Sequence, residues 1–193
     1  MNTFTFKTFL IAVTMLVLGL SSIGSRAATV TLVADSSTVL EGASFTVALV
    51  MNAADAPGNH PGAFSGEVTL GFDPDLARFD GFTIINPAQL FIPATESPAG
   101  NVSLGFFNAA DISVIGVYTF TALGSGGDLI NFSIADSDDF FGSFFNESPT
   151  NQPFTPEFSG TSVSIQKVPL PATLWLLVSG LGLWRFSVTR RSA

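Results

Sequence analysis

The chain has 193 residues, of which 47% are apolar and 11% charged, and it has a net charge of −8 and no cysteine. This length accommodates one ordinary domain, because domains cluster around 100–150 residues. All 15 acidic residues lie between Asp35 and Glu157, where Arg78 is the one basic residue. Such an acidic middle repels phosphate backbones, which excludes nucleic acid as a partner. Without cysteine there are no disulfides, thiolate metal sites or cysteine nucleophiles, so the core must supply the stability.

The N-terminal segment has the layout of a secretory signal peptide. Lys7 precedes an apolar run of about a dozen residues, and small residues follow it. Ser25 and Ala27 fit the small-x-small rule, which predicts cleavage between Ala27 and Ala28. The alternative is an uncleaved anchor, but the run is shorter than the roughly 20 residues of a spanning helix. We therefore expect residues 1–27 to be removed on export.

Residues 28–166 predict an all-β domain, because period-2 alternation recurs between turns rich in Gly, Pro, Asn and Asp. Seven stretches carry this signal: Val30 to Leu32, Phe45 to Leu49, Val68 to Phe72, Val102 to Phe106, Val114 to Ala122, Leu129 to Ile134 and Thr161 to Ile165. No stretch keeps helical spacing over three turns. Seven to nine strands favour an antiparallel β-sandwich, with a closed barrel as the alternative.

Three segments of this domain resemble the cohesin-type jelly-roll. They are the Gly turn at Glu41-Gly42 before Phe45-Thr46-Val47, the segment Phe72 to Phe79, and Tyr118 to Ala122 ahead of a Gly-rich turn. Cohesins bind dockerins, and related folds occur in carbohydrate-binding modules. The resemblance implies a jelly-roll sandwich that binds a dockerin-like protein or a polysaccharide.

The sequence offers little support for catalysis. The single histidine, His60, lies in a Pro/Gly loop and has no partner for a triad or a histidine metal cluster, so we interpret it as a solvated loop residue. Carboxylate pairs suited to glycoside hydrolysis arise by chance among 15 acids. We therefore expect a protein that is not an enzyme and that needs no cofactor, with a glycan hydrolase as the least favoured alternative.

Three carboxylates, Asp136, Asp138 and Asp139, follow the strand at Leu129 to Ile134. Oxygen ligands of this kind suit Ca²⁺, although EF-hand spacing is missing. The sequence therefore leaves a calcium site and a solvated acidic loop as alternatives.

Two phenylalanine pairs, Phe140-Phe141 and Phe144-Phe145, flank Gly142-Ser143. If exposed, these rings form a ligand patch for a sugar or a protein. The alternative, which we favour, is a long loop that tucks them over the edge of the sandwich.

The C-terminal segment, residues 167–193, has three parts in order. Val168-Pro169-Leu170-Pro171-Ala172 is extended, because proline restricts its own φ and the residue before it. An apolar stretch from Leu170 to Trp184 follows and predicts a short transmembrane helix. The helix spans the membrane only if Arg185 snorkels, and Arg190 and Arg191 then lie on the cytoplasmic side by the positive-inside rule.

This tail resembles the PEP-CTERM sorting signal in its Val-Pro-Leu-Pro-Ala variant. Pro169, Leu170 and Pro171 stand where the family name has Pro-Glu-Pro, so the acidic residue is missing here. Family members occur in Gram-negative bacteria that make exopolysaccharide, and an integral-membrane exosortase reads the signal. The resemblance implies transient inner-membrane insertion, processing by an exosortase, and delivery to the cell surface or extracellular matrix.

Other interpretations use the same residues. Leu170 to Leu174 nearly spells a sortase signal, but that signal needs Gly where Leu174 stands. A permanent single-pass anchor needs no processing at all. For the domain itself, the alternative to a binding module is a structural matrix component without a specific ligand.

Overall fold

The computed structural model describes residues 28–53, 64–85, 88–110, 112–137, 144–146 and 152–169. Within them the chain forms thirteen strands. These are β1 (Thr29–Ala34), β2 (Thr38–Leu40), β3 (Ser44–Asn52), β4 (Phe64–Gly71), β5 (Ala77–Ile84), β6 (Gln89–Ser97), β7 (Asn101–Ala109), β8 (Ile112–Ala122), β9 (Leu129–Asp136), β10 (Phe144–Asn146), β11 (Gln152–Phe154), β12 (Glu157–Ser159) and β13 (Thr161–Gln166).

The strands form two sheets. The five-stranded sheet has the order β12-β1-β3-β8-β5. The eight-stranded sheet has the order β11-β10-β4-β9-β13-β2. Strands β10 and β9 pair with successive parts of one edge of β4, and β7 pairs with its other edge, followed by β6. Most pairs are antiparallel, but β1 with β12 and β2 with β13 are parallel. The predicted antiparallel sandwich is confirmed, with short parallel pairings at two edges.

Alternation along the strands explains how the sheets pack. In β3, buried positions alternate with more exposed ones through all nine residues, and β9 behaves in the same way. The inward side chains include phenylalanines from both sheets. Phe120 of β8 lies 4.8 Å from Phe132 of β9 and 5.1 Å from Phe72, measured between ring centroids. A core rich in large rings replaces the stabilisation that disulfides supply elsewhere.

The core also contains a tyrosine hydroxyl. Tyr118 is fully buried, and within the described residues its Oη has no hydrogen-bond partner. Burial raises the pKa of Tyr118 far above its ordinary value, because the phenolate has no water or cation to stabilise it.

Three glycines lie beneath aromatic rings of the sandwich. A Cβ at Gly66 would lie 2.5 Å from Cδ1 of Phe144, and one at Gly116 would lie 2.7 Å from Cε1 of Phe82. At Gly105 the ring of Phe91 occupies the corresponding space. Glycine is required there because any side chain would displace a ring.

All seven predicted strand stretches lie in or overlap observed strands, namely β1, β3, β4, β7, β8, β9 and β13. The prediction of seven to nine strands is too low. It misses β5 and β6 as well as the short strands β2, β10, β11 and β12. The signal peptide and the tail from Leu170 onward lie outside the described residues.

Candidate binding surface

The outer face of the eight-stranded sheet is polar and almost uncharged. Val68 and Leu70 on β4 and Val163 on β13 point inward and are buried, so the residues that alternate with them along each strand face outward. In the centre of the face the outward side chains carry hydroxyls and amides, whereas towards β2 the outward Leu129 and Leu40 are exposed apolar side chains. The polar set is Thr69 on β4, Asn101 and Ser103 on β7, Asn131 and Ser133 on β9, and Ser162 and Ser164 on β13. This surface can donate and accept hydrogen bonds without presenting charge.

One carboxylate belongs to this face but is not presented to solvent. Glu67 is 1% exposed, and its Oε1 accepts a hydrogen bond from Ser137 Oγ at 3.1 Å. The backbone N–H of Ser137 also donates to the carbonyl of Glu67 at 3.2 Å. These bonds join the end of β9 to the middle of β4 and keep the charge covered.

A shallow pocket of about 400 Å³ lies at one end of this face. Its lining residues come from the end of β4 and the turn after it, the start of β7 and the middle of β9: Gly71, Phe72, Asp73, Asn101, Asn131, Phe132 and Ser133. The strand register brings them together, because Gly71 pairs with Asn101 on one side and with Ser133 on the other. Phe72 and Phe132 are buried, so the hydroxyl, the two amides and the exposed carboxylate of Asp73 form the accessible part of the lining.

Glycine at position 71 makes room for the pocket. A Cβ there would lie 2.7 Å from Ser133 Oγ and 3.3 Å from Asn101 Oδ1. Ser133 Oγ donates to the carbonyl of Gly71 at 3.4 Å, which keeps the hydroxyl over the glycine. Both side chains therefore converge on the backbone of β4.

Asp73 supplies the one carboxylate of the lining. Its Oδ1 accepts from the backbone N–H of Asp75 at 2.9 Å, and its carbonyl accepts from Leu76 and Ala77. These bonds fix the tight turn between β4 and β5. Since hydrolysis of a glycoside requires two opposed carboxylates, this lining does not have the groups for that chemistry.

Two aromatic rings lie beside the polar surface. Phe91 on β6 and Phe107 on β7 have ring centroids 5.7 Å apart, and Phe91 covers Gly105. Both rings are half-buried. Next to them, the hydroxyls of Thr69 and Ser103 lie 2.9 Å apart and bind each other. The surface thus combines aromatic and hydroxyl groups on β4, β6 and β7.

A charged cluster lies on the outer face of the other sheet. Arg78 Nε donates to Asp80 Oδ1 at 2.8 Å, and Thr121 Oγ1 donates to Asp80 Oδ2 at 2.6 Å. The hydrogen bond from Thr121, assisted by the guanidinium of Arg78, lowers the pKa of Asp80. The cluster joins β5 to β8.

The structure places only some of the predicted site residues. Phe144 is fully buried among Phe106, Phe154 and Phe158, as the tucked-loop alternative requires, while Phe145 is half-buried. Phe140 and Phe141 lie outside the described residues, so the ligand patch as a whole stays a prediction.

The predicted calcium site is also only partly described. Asp136 ends β9, whereas Asp138 and Asp139 lie outside the described residues. Among the residues that the structure does describe, no three His, Cys, Asp or Glu side chains are grouped to hold a metal ion. The calcium site stays a prediction.

The predicted sorting and topogenic residues lie mostly beyond the described part of the chain. Val168 and Pro169 follow β13, and Val168 is 55% exposed. Ala28 is buried at the start of β1. The others are outside: His60, Ala27, Lys7, Leu170, Pro171, Ala172, Arg185, Arg190 and Arg191. In the part that is described, no helix has the length and apolar character of a membrane span.

Sequence reasoning missed the pocket residues. Asn101 and Asn131 carry a signal in retrospect, since each is an outward amide near the end of a predicted strand and begins an Asn-x-Ser triplet. What the sequence lacks is the register that brings β7 and β9 to the two sides of β4.

Comparisons with known structures agree with this architecture. A cohesin module from a family 33 glycoside hydrolase of Clostridium perfringens superposes with a TM-score of 0.58 at 15% identity, covering 74% of this chain and 99% of that module. A type II cohesin domain of the Acetivibrio cellulolyticus cellulosome gives 0.52 at 11%, covering 71% and 95%. A non-cellulosomal cohesin of the archaeon Archaeoglobus fulgidus gives 0.52 at 8%, covering 72% and 91%.

No protein-family model matches the sequence, and no curated protein matches it. The similarity is therefore one of fold: the described residues between Ala28 and Gln166 form a cohesin-like β-sandwich.

Proposed function

We propose that this chain is an exported surface protein whose sandwich is a non-catalytic module that binds another protein through the outer face of the eight-stranded sheet. The observation that carries the proposal is the uncharged array of hydroxyls and amides on that face, in a chain that is otherwise strongly acidic. The desolvation penalty for covering such a surface is small, because no unpaired charge is buried.

The fold supports a protein partner. Cohesins of Acetivibrio cellulolyticus and Clostridium thermocellum that share this fold are in complexes with dockerins. For this chain we propose a dockerin-like partner, recognised by hydrogen bonds from Thr69, Ser103 and their neighbours and by the rings of Phe91 and Phe107. Aromatic side chains beside polar groups are typical of the residues that dominate protein interfaces.

The pocket favours a second candidate, a neutral polysaccharide. Asn101, Asn131 and Ser133 offer donors and acceptors that match the vicinal hydroxyls of a sugar, and the pocket lining contains no basic group for an anion. Its shallow form suits one or two sugar units of a longer chain rather than a buried small molecule.

One experiment separates the two candidates. Immobilised dockerin modules and soluble neutral glucans serve as probes for the purified chain. Ser103→Lys, near the middle of the face, is expected to abolish dockerin binding, while Thr46→Lys on the opposite sheet leaves it unchanged. Gly71→Val fills the pocket and is expected to abolish glucan binding, while Thr69→Val, two residues along the same strand, preserves it.

Each arm can fail separately. If dockerin binding persists in Ser103→Lys, the dockerin contact lies elsewhere on the molecule. If glucan binding persists in Gly71→Val, the pocket is excluded as the glucan-binding site. If neither probe binds and the chain self-associates, the structural matrix alternative takes the place of the binding module.

For export and sorting we propose the route that the two ends of the sequence resemble: a signal peptide at residues 1–27 and an exosortase-processed tail from Val168. The support is the order of motif, apolar segment and arginines, together with the exposure of Val168 where the chain leaves the sandwich. Intact-mass measurement of protein extracted from the cell surface tests it. The expected mass lacks the tail, and a mass that includes Arg190 would instead indicate a retained anchor.

A further inference from the structure

The end of the sandwich where the chain leaves β13 carries exposed apolar side chains. Leu40 on β2 is 42% exposed, Leu129 on β9 is 49% exposed, and Val168, beyond β13, is 55% exposed. Leu40 pairs with Gln166 and Leu129 with Ser164, so the two leucines flank the last residues of β13. We call Leu40, Leu129 and Val168 the exit rim.

The Gly-rich turn between β8 and β9 completes this end of the sandwich. Leu123, at the start of the turn, is 49% exposed. Lys167 lies against Gly126, where a Cβ would be 2.5 Å from the backbone nitrogen of the lysine. The N–H of Gly127 donates to the carbonyl of Ile165 at 2.8 Å, which holds the turn beside β13. Because the turn has few side chains, a flat surface can approach the exit rim closely.

Only a short stretch of chain separates the exit rim from the apolar segment Leu170 to Trp184. Leu170 is two residues beyond Val168, and two fully extended residues span about 7 Å. A bilayer is about 40–45 Å thick with a hydrocarbon core of about 30 Å, so each headgroup layer is about 5–8 Å thick. When the apolar segment is inserted, the exit rim therefore lies in the headgroup layer or directly above it.

We propose that the exit rim is a docking surface for the lipid bilayer, an inference that rests on the membrane insertion in the proposed export route. Its three apolar side chains leave water at the boundary between headgroups and acyl chains, which is favourable. The contact lasts while the tail is inserted. It holds the sorting motif, which begins at Val168, at the depth where an integral-membrane exosortase can reach it.

The charges beside the exit rim fit a zwitterionic lipid surface. They are two acidic residues, Glu41 and Asp128, and one basic residue, Lys167. Asp128 Oδ2 accepts from the backbone N–H of Ser125 at 2.7 Å, which directs this carboxylate toward the turn. The N–H of Glu41 donates to the carbonyl of Gln166 at 3.0 Å, so Glu41 and Lys167 start from neighbouring points of the backbone. A zwitterionic headgroup offers a partner for charges of either sign.

The remaining charges near this end do not belong to the exit rim. The carboxylate of Asp35 accepts from Thr46 on the outer face of the five-stranded sheet. The others follow β4 or lie on β5 and β6: Asp73, Asp75, Arg78, Asp80 and Glu96. All of these except Arg78 are acidic, and a carboxylate is costly to move out of water. The sandwich is therefore expected to lean on β2, β9 and β13 and to keep β5 and β6 away from the lipid.

Because the chain has no cysteine, single labels can test the contact. The full chain is reconstituted in phosphatidylcholine vesicles that contain lipids spin-labelled near the headgroup, and a fluorophore is attached to one introduced cysteine. Thr38→Cys places the fluorophore on β2, beside the exit rim, and Ala99→Cys places it in the turn between β6 and β7 at the same end of the sandwich. We expect quenching roughly threefold stronger at position 38 than at position 99, because only the first label lies on the docked side.

A pair of matched variants tests the rim itself, each carrying the label at position 38. Leu129→Asp removes an apolar side chain of the rim and adds a charge, whereas Ser162→Asp adds the same charge to the same sheet face, farther from the exit. Leu129→Asp is expected to lower the ratio of docked to undocked sandwich about tenfold, because half of a leucine side chain leaves the contact and a carboxylate enters it. Ser162→Asp is expected to leave quenching unchanged.

Flotation of the vesicles distinguishes failure of the rim contact from failure of the proposed insertion. A chain that floats with the vesicles but is quenched equally at positions 38 and 99, or is unaffected by Leu129→Asp, would overturn the rim contact and leave the proposed insertion standing. A chain that does not float with the vesicles would contradict the insertion and, with it, the rim contact.

Discussion

The tight contact between Gly66 and Phe144 predicts a large effect from adding one methyl group. In Gly66→Ala the new Cβ would lie 2.5 Å from Cδ1 and 2.8 Å from Cζ of the ring, well inside van der Waals contact. The ring cannot swing away, because Phe144 is fully buried, with Phe106, Phe154 and Phe158 around it at 5.8–6.0 Å.

Overpacking of a core costs about 1–3 kcal/mol. Alanine also lowers the conformational entropy of the unfolded chain, which offsets about 0.4–1 kcal/mol of the overpacking cost. We therefore expect Gly66→Ala to lower the free energy of unfolding by about 1–2 kcal/mol. With a urea m-value of about 2 kcal/mol/M, the midpoint of urea unfolding falls by roughly 0.5–1 M.

Two further variants make the test specific. Gly71→Ala is the matched control on the same strand, because its new Cβ meets the rotatable hydroxyl of Ser133 rather than a locked ring; we expect a change below about 0.5 kcal/mol. Phe144→Leu removes the ring atoms that the alanine would meet, so it should cost less in the Gly66→Ala background than in the wild type. A neutral Gly66→Ala, or strictly additive single changes, would refute the packing argument.

Two other predictions concern polar groups. Tyr118→Phe removes a buried hydroxyl that has no hydrogen-bond partner within the described residues. We expect this change to raise the free energy of unfolding by about 1 kcal/mol and to raise Tm by a few degrees in thermal melts. A loss of stability would contradict this expectation. Asp80→Asn removes the negative charge and one of the two carboxylate oxygens that accept from Arg78 and Thr121, and it is expected to cost less than about 1 kcal/mol at neutral pH. The pKa of Asp80 in the folded state is lowered from 3.8, so this stabilisation is present above pH 3.8 and is lost as the pH falls through the folded pKa. Urea unfolding of the wild type and of Asp80→Asn from pH 7 to pH 3 should show the difference in their free energies of unfolding shrinking only at the acid end.

The alternation of side chains made much of the fold predictable. Strands with one face buried, such as β3 and β9, show a period of two that survives in the sequence, because every second side chain must be apolar. The resemblance to cohesins pointed to the same sandwich, and the structural comparisons confirm that fold.

Strands at the margins were not predictable in this way. β5 carries a bulge between Phe79 and Gly81, which breaks its alternation, and β6 contains Pro93 and two register shifts against β7. The three-residue strands are too short for any periodicity. They form because neighbouring strands offer unpaired backbone groups, as β13 does for β2.

The fold class, the acidic middle and the layouts at the two ends that predict export and sorting can all be recognised in the amino-acid order. Which outward side chains become neighbours depends on how the strands pair. Asn101 and Ser133 are neighbours because β4 pairs with β7 and β9, and Leu40 and Leu129 flank the chain exit because β2 and β9 pair with the two sides of β13. The physical reason is that local periodicity records which face of a strand is buried, whereas contacts between strands depend on the order and register of the whole sheet.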